Sequence, residues 1–409
     1  MPISKRSVSL WVMVLVFAAA ALYHLHATNL WMPQSYSDLL PRIVGTRDAL
    51  RGMNPYSTPV LHDIQKACYG HVLARGSKLD PQYFSYPALI IPLLLPLVHL
   101  SWLLARTLFF AAVIPLLAFS FWWWATKMLP GQSFVTIAAA VLICLSAWPV
   151  VWGLRLEQPT VVAFVLMTGA LSAVEKNRGW LSGVLFAVAI IKPQIALPLL
   201  LWLGVWSFRR RSFGIFQTFA VSLLALWAAA DAIVPDWFSK WLASLHAYTS
   251  INRPICEMLF GRWVGLGATA VLAWFCLRRL WVLLDAEAGS ADFLRAVALS
   301  LAATLLVVPM QPTFLYDQIL LIPAIMYSVG HQGISAYAKT ARWMMLVSVY
   351  ASLALLVFSA MAEIWEPRGA MWYVLPFVAE PLPLIVVISM LLEVDGKSSQ
   401  SVPLAAEHR

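Results

Sequence analysis

The stretch FVTIAAAVLICLSAWPVVWGL, residues 134–154, runs for twenty-one residues without a charged side chain. Residues 296–316 and 343–362 repeat the pattern, with no Asp, Glu, Lys or Arg in either. Uncharged apolar blocks of about eighteen or more residues read as membrane-crossing helices. The composition agrees: of 409 residues, 61% are hydrophobic and 11% are charged. A soluble domain carries about 25% charged residues. Charge at less than half that level cannot clothe a water-soluble surface, which excludes a soluble enzyme, a disordered chain, a disulfide-rich secreted module and a nucleic-acid binder. The fold class expected is an all-α, polytopic integral-membrane bundle.

The net charge of +9 is distributed in short clusters between the apolar blocks: Lys5-Arg6, Arg209-Arg210-Arg211, Arg278-Arg279, and Lys339 with Arg342. Cytoplasmic loops of membrane proteins carry such clusters. With these taken as inside, the first apolar block, residues 8–23, is an uncleaved signal anchor. Two long outer loops follow, about residues 28–86 and 233–262. Residues 180–208 are apolar except for Ile191-Lys192-Pro193-Gln194, with basic residues on both flanks. The two flanks share a side only if the chain turns back at that break. The first half would then be about 18 Å long against a hydrocarbon core of about 30 Å. Residues 87–101, broken by Pro92 and Pro96, are too short to cross and are expected to be interfacial or re-entrant. The sum is about twelve passes in a single domain, residues 1–392, with a cytoplasmic tail at 393–409.

Polar residues gather at the outer face. Ser37 or Asp38 suits the N-cap of a helix whose Leu39, Leu40, Ile43 and Val44 repeat at helical spacing, and Gly52 suits its end. On the residues alone, Asp38 is either a cap paired with Arg42 or a reactive carboxylate. Asp48, between Arg47 and Arg51, reads as part of a solvated helix face. Lys192 lies where a lysine costs about 2.5–3.5 kcal/mol, so it either lines a cavity and meets an anion or reaches back to the interface. Trp237, Phe238, Trp241, Leu242, Leu245 and Tyr248 form one face suited to an interfacial helix, followed by the outer-face cation Arg253. Cys68 and Cys256 both fall in outer loops, where a disulfide is open to them.

Several short motifs occur in a telling order: Ser37-Asp38 with Gly52-Met53-Asn54-Pro55-Tyr56; Tyr83-Phe84-Ser85-Tyr86-Pro87; Glu157-Gln158-Pro159-Thr160; Ile191-Lys192-Pro193; Asn252-Arg253-Pro254; and Tyr316-Asp317. Together they resemble glycosyltransferase family 87 of the C-type superfamily, the polyprenyl-phosphate-mannose-dependent mannosyltransferases. The resemblance implies a C-type helical bundle in the plasma membrane with its active site on the extracytoplasmic side. It also implies an inverting transfer of a mannose-like hexose from a polyprenyl-phosphate sugar to a lipid or glycan acceptor. Asp38 would be the general base, Lys192 and Arg253 would bind the donor phosphate, and Gln158, Gln194, Tyr316 and Asp317 would line the substrate pocket. The donor is already a phosphodiester, so no nucleotide-binding motif is needed; the sequence has no compelling metal-ligand cluster, and no cofactor is expected. Members usually carry Gly-Gln-x-Asn where this chain has Glu157-Gln158-Pro159-Thr160, so only Gln158 carries over. The Trp-x-His expected near residue 316 is also missing. Two other classes compete: a transporter or flippase for a lipid-linked sugar, and a structural subunit of an envelope-glycan assembly complex.

Overall fold

The computed structural model of the protein describes residues 11–12, 14–23, 37–77, 79–249, 253–308, 312–331, 336–365 and 380–392. Among them every regular element is helical. Helix α1 (Val14–Tyr23) precedes α2 (Leu39–Leu50), α3 (Thr58–Tyr69) and α4 (Ile90–Val98). Next come α5 (Trp102–Met128), α6 (Phe134–Leu145), α7 (Trp148–Arg155), α8 (Pro159–Glu175), α9 (Gly179–Ala189) and α10 (Pro193–Arg209). Helices α11 (Gly214–Ile233), α12 (Trp237–Thr249), α13 (Ile255–Phe260), α14 (Arg262–Val282) and α15 (Ala291–Val307) follow. A 3-10 segment (Pro312–Leu321) leads into α16 (Ile322–Gly330), and α17 (Ala336–Trp365) and α18 (Leu382–Leu392) complete the described chain. Serines start several of the long helices: the hydroxyls of Ser101, Ser133 and Ser290 accept from the backbone N–H of Leu104, Thr136 and Phe293. The Lys5-Arg6 cluster, Asn252, residues 309–311 and residues 393–409 lie outside the described residues.

Three helical stretches, Trp102–Met128, Gly214–Ile233 and Arg262–Asp285, are long and apolar enough to cross a membrane, and α6 with α7 makes a fourth if counted as one span. The uncharged block at residues 134–154, expected to cross the membrane, forms that pair, and it is bent by 52°. Pro149 lies in the first turn of α7, where it has no N–H to give the preceding turn. The chain from Pro312 to Leu321 is a 3-10 segment. Pro323 in the first turn of α16 interrupts the helical ladder there, and 3-10 runs this long are uncommon.

Contacts sort the helix ends into two groups. At one end Lys127 pairs with Glu175, Arg209 with Asp285 (2.8 Å), and the Trp206 indole donates to the Ala286 carbonyl (2.8 Å). Gly330 lies against the Met128 backbone there, and Gly179 against Ile215. This is the basic end. At the opposite, loop end, Arg47 of α2 donates to the carbonyls of Val98 (2.6 Å) and Leu100 (2.9 Å), and Trp241 donates to that of Ser85 (3.1 Å). Helix α9 starts beside the start of α11, five residues beyond the end of α10. The chain therefore reverses at Ile190–Lys192, after a helix only about 16 Å long. Helix α4, about 14 Å long, begins and ends among the loop-end contacts. Helix α12 is anchored by Trp237, which is buried among Trp227, Phe238 and Trp241. Cys68 and Cys256 are each buried as free thiols, so no disulfide joins the two loops.

Candidate functional site

The site is built on the turn between α7 and α8. Pro159 opens α8, and it forces Gln158 before it into an extended conformation (ψ 133°). The C-terminus of α7 must close within two residues. It does so with Gln158 N–H donating to Gly153 C=O (2.8 Å) and Glu157 N–H donating to Leu154 C=O (2.9 Å). This is the Schellman arrangement, which places the residue after the cap in the left-handed region and favours glycine there. Here that residue is Glu157, at φ 53°.

The Glu157 side chain is fully buried and accepts from the Ser37 hydroxyl and from the Arg106 guanidinium. Ser37 is the side-chain cap of α2, accepting from the N–H groups of Leu39 (3.1 Å) and Leu40 (3.2 Å). Asp38 occupies the cap position without a capping side-chain bond. Its N–H donates to the Leu156 carbonyl (2.8 Å). Its carboxylate pairs with Arg42 (2.8 Å) and is 23% exposed, against 4% for that arginine. The Arg42 guanidinium lies 4.2 Å from the centre of the Tyr86 ring, and the Tyr86 hydroxyl donates to Gln158 Oε1 (3.3 Å).

Two residues beyond Gln158, the Thr160 hydroxyl bridges the second half of the site. It donates to Asp317 Oδ1 (2.7 Å) and accepts from Lys192 Nζ. Lys192 also pairs with Asp317 at 2.6 Å, both side chains being 3% exposed, and its ammonium lies 4.6 Å from the centre of the Tyr316 ring. The reversal at Ile190–Lys192 delivers the lysine, and the 3-10 segment delivers Tyr316 and Asp317. Among the described residues, three ion pairs (Asp38–Arg42, Glu157–Arg106, Lys192–Asp317) thus form one network through Ser37-Asp38 and Glu157–Thr160.

Of the residues expected at a site, Asp38, Gln158, Lys192, Tyr316 and Asp317 are brought together. Gln194 and Arg253 are exposed and make no hydrogen bond or ion pair with the network among the described residues. Lys192 does not snorkel to an interface but is satisfied inside. Asp48 is not on a solvated face: it is 2% exposed with Arg51 3.0 Å away, and burial and the nearby Asp63 push its carboxyl up. Glu157, Thr160, Arg42, Arg106 and Tyr86 were not expected as site members. The departure from Gly-Gln-x-Asn was a signal in itself, because the two residues that fail to match, Glu157 and Thr160, hold the two halves together. No group of three or more His, Cys, Asp or Glu able to hold a metal occurs among the described residues.

An apolar helical bundle whose ionisable residues meet inside it is consistent with an integral-membrane protein, in which such buried charges are candidate site residues. The profile of glycosyltransferase family 87 matches residues 84–309, more than half of the chain, and the chain belongs to that family. It is therefore a membrane glycosyltransferase, acting on a sugar donor and an acceptor. The match spans Glu157, Gln158, Lys192, Gln194 and Arg253, while Asp38, Tyr316 and Asp317 lie outside it. No curated protein and no solved structure matches the chain.

Proposed function

We propose that this glycosyltransferase moves a mannose-like hexose from a polyprenyl-phosphate sugar to a lipid or glycan acceptor, with inversion, on the extracytoplasmic side of the plasma membrane. One observation carries the reading: Asp38 holds the most open carboxylate of a network whose other end is the buried Lys192. Because Ser37 supplies the cap, the Asp38 carboxylate is left to take a proton. As the acceptor oxygen attacks the anomeric carbon, its proton passes to Asp38. The bond from that carbon to the phosphate oxygen breaks, and the electron pair leaves on the phosphate. Arg42 holds the carboxylate in place, and Lys192 stabilises the departing phosphate by sharing its charge between Asp317 and the donor. Gln158 and Tyr316 line the sugar, and Gln194 lies at the mouth. Arg253, exposed at the loop end, meets the donor phosphate on entry.

Twelve passes, with both termini and the basic end cytoplasmic, agree with the alternation of helix ends and with the positive-inside rule. Residues 1–392 would form one catalytic unit and 393–409 a cytoplasmic tail. Single-cysteine labelling from outside tests this orientation: position 194 should react and positions 177 and 210 should not. The activity is tested by mass spectrometry of membranes with and without the chain, supplied with polyprenyl-phosphate mannose. Hexose transfer that depends on the chain is expected; its absence, with folded protein in the membrane and a range of lipid and glycan acceptors, would overturn the donor assignment.

A further inference from the structure

We propose that Glu157 is a positioning residue for the transfer, setting where the Asp38 carboxylate stands relative to Lys192. The proposal rests on the reading of Asp38 as the base. The backbone at Glu157 is the left-handed position of a Schellman turn, where glycine is free of strain and a glutamate is not. Its carboxylate is also completely buried, and desolvation of a charge is costly unless it is paired and hydrogen-bonded. Closing α7 needs neither feature. What glutamate adds is a two-sided anchor. One carboxylate oxygen receives the Ser37 hydroxyl, the group that caps α2 directly before Asp38; the other receives Arg106 of α5.

The same turn reaches both reacting partners. Leu156 accepts from the Asp38 N–H, and Thr160, four residues further on, holds Lys192 and Asp317. Residues 156–160 are therefore the short rigid link between the base and the phosphate-side cation. Glu157 fixes the base end of the link without touching substrate. Small misplacements of a catalytic group cost large factors in rate, so the anchor acts on turnover rather than on donor affinity.

The test uses the full chain in lipid nanodiscs and the double variant Glu157→Gly, Arg106→Leu, which removes the strain and leaves no orphaned charge. Thermal melting should stay near that of wild type, kcat should fall about tenfold or more, and KM for polyprenyl-phosphate mannose should change less than about twofold. Glu157→Gln, which keeps an acceptor for Ser37, should recover part of kcat. Asp38→Asn should cost less in the double variant than in wild type, since a misplaced base has less to lose. A double variant that melts normally and turns over within twofold of wild type would overturn the positioning role while leaving Asp38 as the base. So would a loss confined to melting temperature, or an undiminished Asp38→Asn penalty. Full activity of Asp38→Asn in the wild-type background would instead remove the reading on which the proposal rests.

Discussion

Two ion pairs at opposite ends of α10, Arg209–Asp285 and Lys192–Asp317, are of opposite kinds. At the basic end Arg209 and Asp285 face solvent, with 46% and 70% of their side chains exposed. At the loop end Lys192 and Asp317 are each 3% exposed, and Glu157 is not exposed at all. Exposed pairs contribute about 0.2–1 kcal/mol and need little justification. Buried pairs suffer a desolvation penalty that their attraction often fails to offset, so apolar residues of similar size would hold the fold as well. The exposed pair at the basic end stands at little energetic cost. The loop end carries charge in spite of the energetics, and in a membrane protein that marks function.

The largest effect should come from breaking the deepest pair on one side only. Lys192→Met leaves Asp317 buried with the Thr160 hydroxyl but no cation. Unfolding should become easier by about 3–5 kcal/mol, and donor use should be lost. Adding Asp317→Leu removes the orphaned carboxylate and should restore much of the thermal stability while transfer stays absent. Melting curves with a transfer assay on both variants separate the two roles. Recovery of transfer together with stability would make the pair a structural element only.

Asp38→Asn comes next. Asparagine preserves size, and the cap is Ser37, so α2 and membrane insertion should be unaffected. Losing the proton acceptor should cut transfer by about a hundredfold or more, the low end for a general base. The rival is Asp48, in the same helix but buried against Arg51. If Asp38→Asn transferred sugar normally and Asp48→Asn did not, the base would be Asp48.

How much of this was legible before folding depends on the distance over which each signal is written. Lys192 announces itself as a lone charge between apolar halves, and its flanking basic clusters reveal the chain reversal. The all-helical membrane class follows from uncharged runs alone. Asp38 is visible as a cap candidate, but which of Ser37 and Asp38 caps is a matter of atomic geometry. Glu157 is different. Its partners Ser37 and Arg106 lie 120 and 51 residues away, and the turn that buries it is set by Pro159. Arg106 is a lone arginine in an apolar helix, visible in the sequence but without a partner until the fold supplies one. Asp48 misled for the complementary reason: its neighbours in sequence are charged, yet its helix turns that side inward. Local patterns reported what the backbone would do, whereas the network is made of contacts between segments that no local pattern relates.

The smallest effect should appear at the basic end, and its smallness is informative. Asp285→Ala removes the partner of Arg209 but leaves the carbonyl of residue 285, which Arg210 also contacts. The lost pair is exposed on both sides, so the guanidinium regains water at little cost. The loss in stability should be below about 1 kcal/mol and should shrink further in 0.5–1 M salt, where the Debye length is a few ångströms. Transfer should be unchanged, because the affected turn lies at the opposite end of α10 from Lys192. Melting the variant and wild type in matched low and high salt, alongside a transfer assay, measures all three expectations. A variant that melted normally yet transferred poorly would mean that the basic end communicates with the site, and the contrast between a structural end and a chemical end would fail.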